Sequence, residues 1–210
     1  MRAAALLCLL LAAAPFTPVG LAEDDAPTTF RLRFLVARHE GAPVRPRGWL
    51  DRQVRRANEL FAPAGVAFVE DGVEPLPEAH TTLLSRLDRH LLAPLVEDER
   101  IHAFVVQALA NVDVEGDFIR GVHWRSRRSG TYRHYVILSR IAGEYVLAHE
   151  LGHFFGNPHS STPGNIMSYE GAPGPPFFDE AQRRRIRRHR RRFLESGELV
   201  PVADDAPSDS

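Results

Sequence analysis

Five spaced residues constrain this chain more than any other feature: His149, Glu150, His153, Gly156 and His159, in the arrangement H-E-x-x-H-x-x-G-x-x-H. On a helix, residues four apart lie one above the other, so His149 and His153 present two imidazoles from one rigid face to a single ion. Glu150 sits about 100° further round, beside the ion rather than on it, where it can act as a general acid/base on a water. Gly156 can take a positive φ and turn the chain, and Pro158 cannot continue a helix, so His159 can swing back as a third ligand. Three histidines leave a fourth position open, the pattern of a catalytic rather than a structural zinc. H-E-x-x-H alone is a modest signal, whereas all five fixed positions arise by chance in about 1 in 10⁴ chains of this composition.

With Asn165-Ile166-Met167-Ser168-Tyr169 following at short distance, the stretch from Val146 to Tyr169 resembles the zinc-binding region of the metzincin clan of metalloendopeptidases. The resemblance implies an α+β fold: a twisted mixed sheet packed on helices, an active-site helix, and a small C-terminal part holding a methionine turn and a terminal helix. It implies Met167 as an apolar floor under the imidazoles, Gly156 as the turn residue, and Tyr169 as a helper that stabilises the tetrahedral intermediate. Tyr169 matches the astacin and serralysin branches, whereas Ser160 directly after the third histidine matches the matrixins, so the resemblance extends to the clan and not to a branch. It also implies an edge strand along the cleft, for which Ile119 to Trp124 is the candidate. An extended protein or peptide substrate would add to it as an antiparallel strand, with the loop Glu170 to Phe178 forming pocket walls.

The N-terminus reads as a signal peptide: Arg2, an apolar run from Ala3 to Ala14, then Gly20-Leu21-Ala22 as a cleavage site. Cleavage after Ala22 directs the protein to a secreted or periplasmic location, and the run is shorter than the ~20 apolar residues of a membrane span. The single cysteine, Cys8, lies in that run, so the mature chain has neither disulfide nor thiol latch. All 26 basic residues are arginine, and the formal net charge of −1 argues against a nucleic-acid partner. The expected organisation is a leader over 1–22, a zinc-metalloprotease domain over 23–194 divided near residue 156, and a disordered acidic tail over 195–210. A monomer is expected.

Periodicity predicts strands at Phe30–Val36, Val66–Val69, Ile101–Leu109, Ile119–Trp124 and Tyr135–Leu138, with a polar turn from Arg125 to Gly130. Helices are predicted over Leu50–Phe61, Leu83–Leu91, from Ile141 to Phe155, and over Asp179–Leu194. The last carries a capping box of Asp179 and Gln182. Residues 156–176, rich in Gly and Pro, read as loop.

Other signals are weaker. Arg183 to Arg192 contains eight arginines, either a solvated helix face or a contact for an anionic surface. Asn111, Asp113, Glu115 and Asp117 suggest Ca²⁺, although Val122 stands where an EF-hand needs Glu. His123 either lines the cleft or is an ordinary strand residue. His39, His80, His90, His102, His134 and His189 show no ligand spacing. Asp24 or Asp25 would have to reach far to cap a metal. The function these features imply is a zinc-dependent endopeptidase. The alternatives are a zinc hydrolase of another amide, such as a peptidoglycan cross-link, or a non-catalytic envelope-binding module.

Overall fold

The structure, a computed structural model, describes residues 27–128 and 131–203. The expected leader and Asp24 and Asp25 therefore lie outside the described residues. One five-stranded sheet organises the chain: β1 (Thr28–Val36), β2 (Val66–Pro75), β3 (Ile101–Val106), β4 (Gly121–Arg128) and β5 (Thr131–Ser139), in the order β2-β1-β3-β5-β4. All neighbours are parallel except the β4–β5 hairpin, which leaves β4 as an antiparallel edge strand. The mixed sheet is the one the metzincin resemblance implies.

Both faces of the sheet are covered, which explains why β3 is apolar at every residue but His102 and buried at all six. On one face Phe30, Leu32, Phe34, Ala103, Val105, Val136 and Leu138 pack against α1 (Arg47–Phe61) and α3 (Val146–Phe154). On the other, Leu35, Phe104, Tyr135 and Ile137 meet Leu83, Leu92 and Leu109. An aromatic cluster joins α1 and α3 to the C-terminal helix α4 (Glu180–Ser196). Phe61 lies 5.0 Å from Phe178 and 5.6 Å from Phe155, and Phe155 lies 5.4 Å from Phe193.

Several element boundaries differ from expectation for identifiable reasons. The leucine helix shrinks to α2 (Arg86–His90), because Ser85 and Asp88 form a capping box that starts it late and Leu83 pairs with Leu109 instead. Leu84 and Leu87 remain exposed. β2 runs on to Pro75 alongside β1, and the register shifts between Leu32 and Phe34, opposite Gly72 at φ +122°. Part of the expected Arg125–Gly130 turn is ladder, with Arg128 paired to Thr131. α3 starts at Val146 rather than Ile141, since side chains hold the preceding turn: Arg45 donates to the Ala142 carbonyl and Gln53 to that of Gly143. The tail is ordered further than expected. Leu199 is buried, Val200 N–H donates to Glu99, and Val202 N–H donates to Thr29, so the chain returns to β1 before residue 203.

Candidate metal centre

α3 carries His149, Glu150 and His153, and its position is fixed from two sides. Tyr145 at the N-cap supplies no side-chain cap. Gln53 of α1, itself buried, takes that role: its Oε1 accepts from Leu147 N–H at 3.1 Å while its Nε2 donates to Gly143. One helix thereby satisfies an orphan donor of the next. At the sheet, α3 approaches β4 so closely that a Cβ on Gly121 would lie 2.6 Å from Val146 Cγ1 and 2.9 Å from Glu150 Oε1. A glycine in a strand marks such an approach, and Gly121 opens β4.

His149 and His153 are each oriented by a backbone carbonyl. His149 Nδ1 lies 2.7 Å from the Ile166 oxygen, and His153 Nδ1 lies 2.8 Å from that of Asn157. A carbonyl only accepts, so both rings carry the proton on Nδ1 and turn an Nε2 lone pair inward. His153 Nε2 stands 3.0 Å from His159 Nε2, and one nitrogen from each of the three rings falls within 4.8 Å of the others. Lone pairs gathered this closely fit a cation, and a tetrahedral zinc holding imidazole nitrogens at about 2.0–2.1 Å needs only small ring movements. Burial holds His149 below its ordinary range and pushes His153 down to about 4, so both are in the neutral form a metal requires. Among the described residues this is the only group of three or more His, Cys, Asp or Glu placed to share an ion. In the segment considered for calcium, Asn111 donates to Asp117, and Asp113 pairs with Arg86.

The return of the chain to His159 uses Gly156 twice. Its φ of +82° favours glycine, and a Cβ there would run into the His189 ring from α4. Ser160 N–H then donates to the Met167 carbonyl. Met167 is fully buried, with its sulfur against the bare Cα of Gly152 on α3. The turn itself hangs from α4: Asn165 and Gln182, both buried, exchange side-chain hydrogen bonds of 2.8 and 3.0 Å. Asn165 Oδ1 also accepts from Met167 N–H, and Gln182 Oε1 from Asp179 N–H. The expected capping box is present, and its glutamine has this second use, which capping spacing does not reveal.

Glu150 is buried beside the histidines, and burial raises its carboxyl to about 8, with a backbone hydrogen bond from His123 pulling the other way. Tyr169 is 82% exposed, its hydroxyl 2.9 Å from His159 Nε2. His123 lines the cleft, and its Nε2 meets His134 Nδ1 at 3.1 Å, while His134 contacts Glu198 at 2.6 Å. The cleft is a groove of about 1300 Å³ along β4. Its walls differ from expectation: Asn111–Asp113, Phe118–Arg125 and Gly143–Val146 line it, and no residue of the loop Glu170–Phe178 does. That loop stays exposed from Glu170 to Pro175 and is anchored at its end, where the Phe177 carbonyl accepts from Ile166 N–H and Phe178 enters the aromatic cluster.

No protein-family model matches the sequence, and no curated protein does. Solved structures do match the fold. Metalloproteinase-II from Bacteroides fragilis superposes with a TM-score of 0.56 over 80% of this chain and 55% of its own, at 12% identity. Mirolysin in complex with compound 9 superposes with a TM-score of 0.56 over 84% of this chain and 100% of its own, also at 12% identity. The chain thus spans about half the length of the first and the whole of the second. The fold is metzincin-like, and no branch of the clan is distinguished.

Proposed function

We propose that this protein is an exported, zinc-dependent endopeptidase that cleaves extended polypeptide at the groove along β4. The observation that carries the reading is the convergence of three imidazole nitrogens within 4.8 Å beside a buried carboxyl group. His149, His153 and His159 would hold the ion. Bound there, zinc would supply Lewis acidity toward the scissile carbonyl and lower the pKa of a water to about 7.

The chain's own residues account for the remaining steps. The unpaired edge of β4 offers backbone donors and acceptors to a substrate strand, which places a peptide bond over the histidines. Glu150, set between α3 and Gly121 where water is scarce, takes a proton from the attacking water and delivers it to the departing nitrogen. Its tendency to stay protonated when no cation is near is reversed by a positive charge alongside, which favours the carboxylate needed as base. Tyr169, exposed and already at hydrogen-bond distance from His159, can turn its hydroxyl toward the developing oxyanion. Export rests on the apolar N-terminal run and places the reaction outside the cytoplasm.

A peptide-library digest with zinc-loaded protein tests the reading. The Glu150→Ala variant should retain zinc and lose about 10²- to 10⁴-fold in kcat. Normal turnover in that variant would remove Glu150 from the mechanism.

A further inference from the structure

α4 carries two populations of arginine. On one side Arg183, Arg187 and Arg190 donate to the carbonyls of Phe178, Pro63 and Gly65 and so pin the helix to the body. Arg185, Arg188, His189 and Arg192 instead recur at i, i+3, i+4 and i+7 and share another face. That face meets the bend that helps to line the cleft: the His189 ring packs on Gly156, and Arg185 reaches Asn157 Oδ1 at 3.3 Å, both between the second and third histidines. Across the groove, Arg125 lies on the same side of β4 as Gly121 and His123 and lines the cleft. Burial, then the charges of Arg192, Arg188, Arg125 and Arg185, holds the His189 imidazole below its ordinary range.

That charge is answered only in part by the residues around it. Arg125, Arg188 and Arg192 have no ion pair or side-chain hydrogen bond among the described residues, and all three are exposed. The nearby carboxylate, Glu198, accepts from His134 at 2.6 Å and is held below its ordinary range by that bond and by the charge of Arg192, so it offsets part of the charge there. Elsewhere on the groove, Asp113 and Glu144 are taken up by Arg86 and Arg56. The formal net charge of −1 shows that the concentration is local rather than general. We propose that Arg125, Arg188 and Arg192 form an anion-binding extension of the cleft that selects polypeptide substrates with acidic residues on the amino-terminal side of the cleaved bond. The side follows from direction. A strand antiparallel to β4 has its amino-terminal part beside Arg125 and its carboxyl-terminal part beside Gly121. Planar guanidinium groups suit carboxylates through paired hydrogen bonds, and continuity with the peptide groove favours a polypeptide over other polyanions. The inference rests on the peptidase reading.

The test uses three labelled dodecapeptides of one sequence: three glutamates in the amino-terminal half, the same three in the carboxyl-terminal half, or glutamines throughout. Binding is measured by anisotropy with zinc-loaded Glu150→Ala protein, and cleavage with the wild type. The amino-terminal glutamate peptide should bind about tenfold more tightly than the glutamine peptide at low salt, lose that advantage in 0.5 M NaCl, and be cleaved with a correspondingly lower KM. The Arg125→Ala/Arg188→Ala/Arg192→Ala variant should bind its full complement of zinc and bind the three peptides with equal affinity. Equal binding of all three peptides, a preference for the carboxyl-terminal block, or tighter binding of a charge-matched single-stranded DNA or of anionic vesicles would overturn the proposal. Selective binding without cleavage of any peptide would support the anion site and refute the peptidase reading, so the two failures are separable.

Discussion

The two halves of the candidate centre are held by different physics. The upper half, α3 with His149 and His153, lies on the sheet and the aromatic cluster, with Phe155, Leu147 and Leu151 fully buried beneath it. The lower half, from His159 to Tyr169, has exposed His159 and Tyr169 at its two ends and is tied to the body by buried Ile166 and Met167 and by a polar exchange between Asn165 and Gln182. Two ligands are thus placed by an apolar helix face, and the third by a short turn that combines two core side chains with a polar network. Damage to the upper half should unfold the protein. Damage to the lower half should loosen the metal first.

The largest expected effect is on the upper side. Phe155→Ala removes a fully buried ring at the meeting point of Phe61, Phe68 and Phe193 and should cost about 3–5 kcal/mol in urea unfolding of the zinc-free protein. Gln182→Ala is the matching lower-half change. It strands the buried Asn165 amide, so about 1–3 kcal/mol is expected, together with a loss of zinc affinity of about tenfold or more when a support of the ligands is removed. If Phe155→Ala weakened zinc while leaving stability intact, the contrast between the halves would fail.

Acid probes the upper region by another route. His102 on β3 is buried, and burial pushes its imidazole down to about 4, with Glu97 opposing and Arg33 and Arg100 reinforcing. The folded value lies below the unfolded value of about 6.5. Its contribution to stability is therefore complete above pH 6.5 and is lost progressively as pH falls toward 4. Between pH 8 and pH 4.5 the zinc-free protein should lose about 2–3 kcal/mol from this group, a loss that His102→Leu should remove. Parallel acid curves for the two proteins would contradict the assignment. The smallest effect belongs to Tyr169→Phe. With the side chain 82% exposed, stability should not change, while kcat should fall by about tenfold, within the range for loss of one oxyanion donor or less.

What the sequence made legible follows the same division. The ligand set is local, so its spacing along one helix and one glycine turn sufficed to bring His149, His153 and His159 to one point. β1, α1 and α4 were legible because each shows an apolar face at its own period. Features that depend on distant partners were not. Gly121 matters because α3 lies against it, Gln182 because Asn165 faces it, and the ordered stretch around Leu199 because β1 lies beside it. The wall loop was misplaced because Gly and Pro content identifies a loop without saying which way it folds. Only its end is fixed, by Phe178 in the core and by the Phe177 carbonyl, and the lining of the groove comes from other segments. Of these, only the glycine within a strand carried a local signal that could have been read.

The central claim is that three side chains, two from a helix and one from the bend beyond it, share a single ion. X-ray absorption at the zinc edge, on protein dialysed to constant metal content, tests it most directly. The account predicts one zinc per chain with three imidazole nitrogens and one further light ligand at about 2.0–2.1 Å, reduced to two imidazoles in His159→Ala. A zinc shell with fewer than three imidazoles in the wild type, or one unchanged by that substitution, would contradict it.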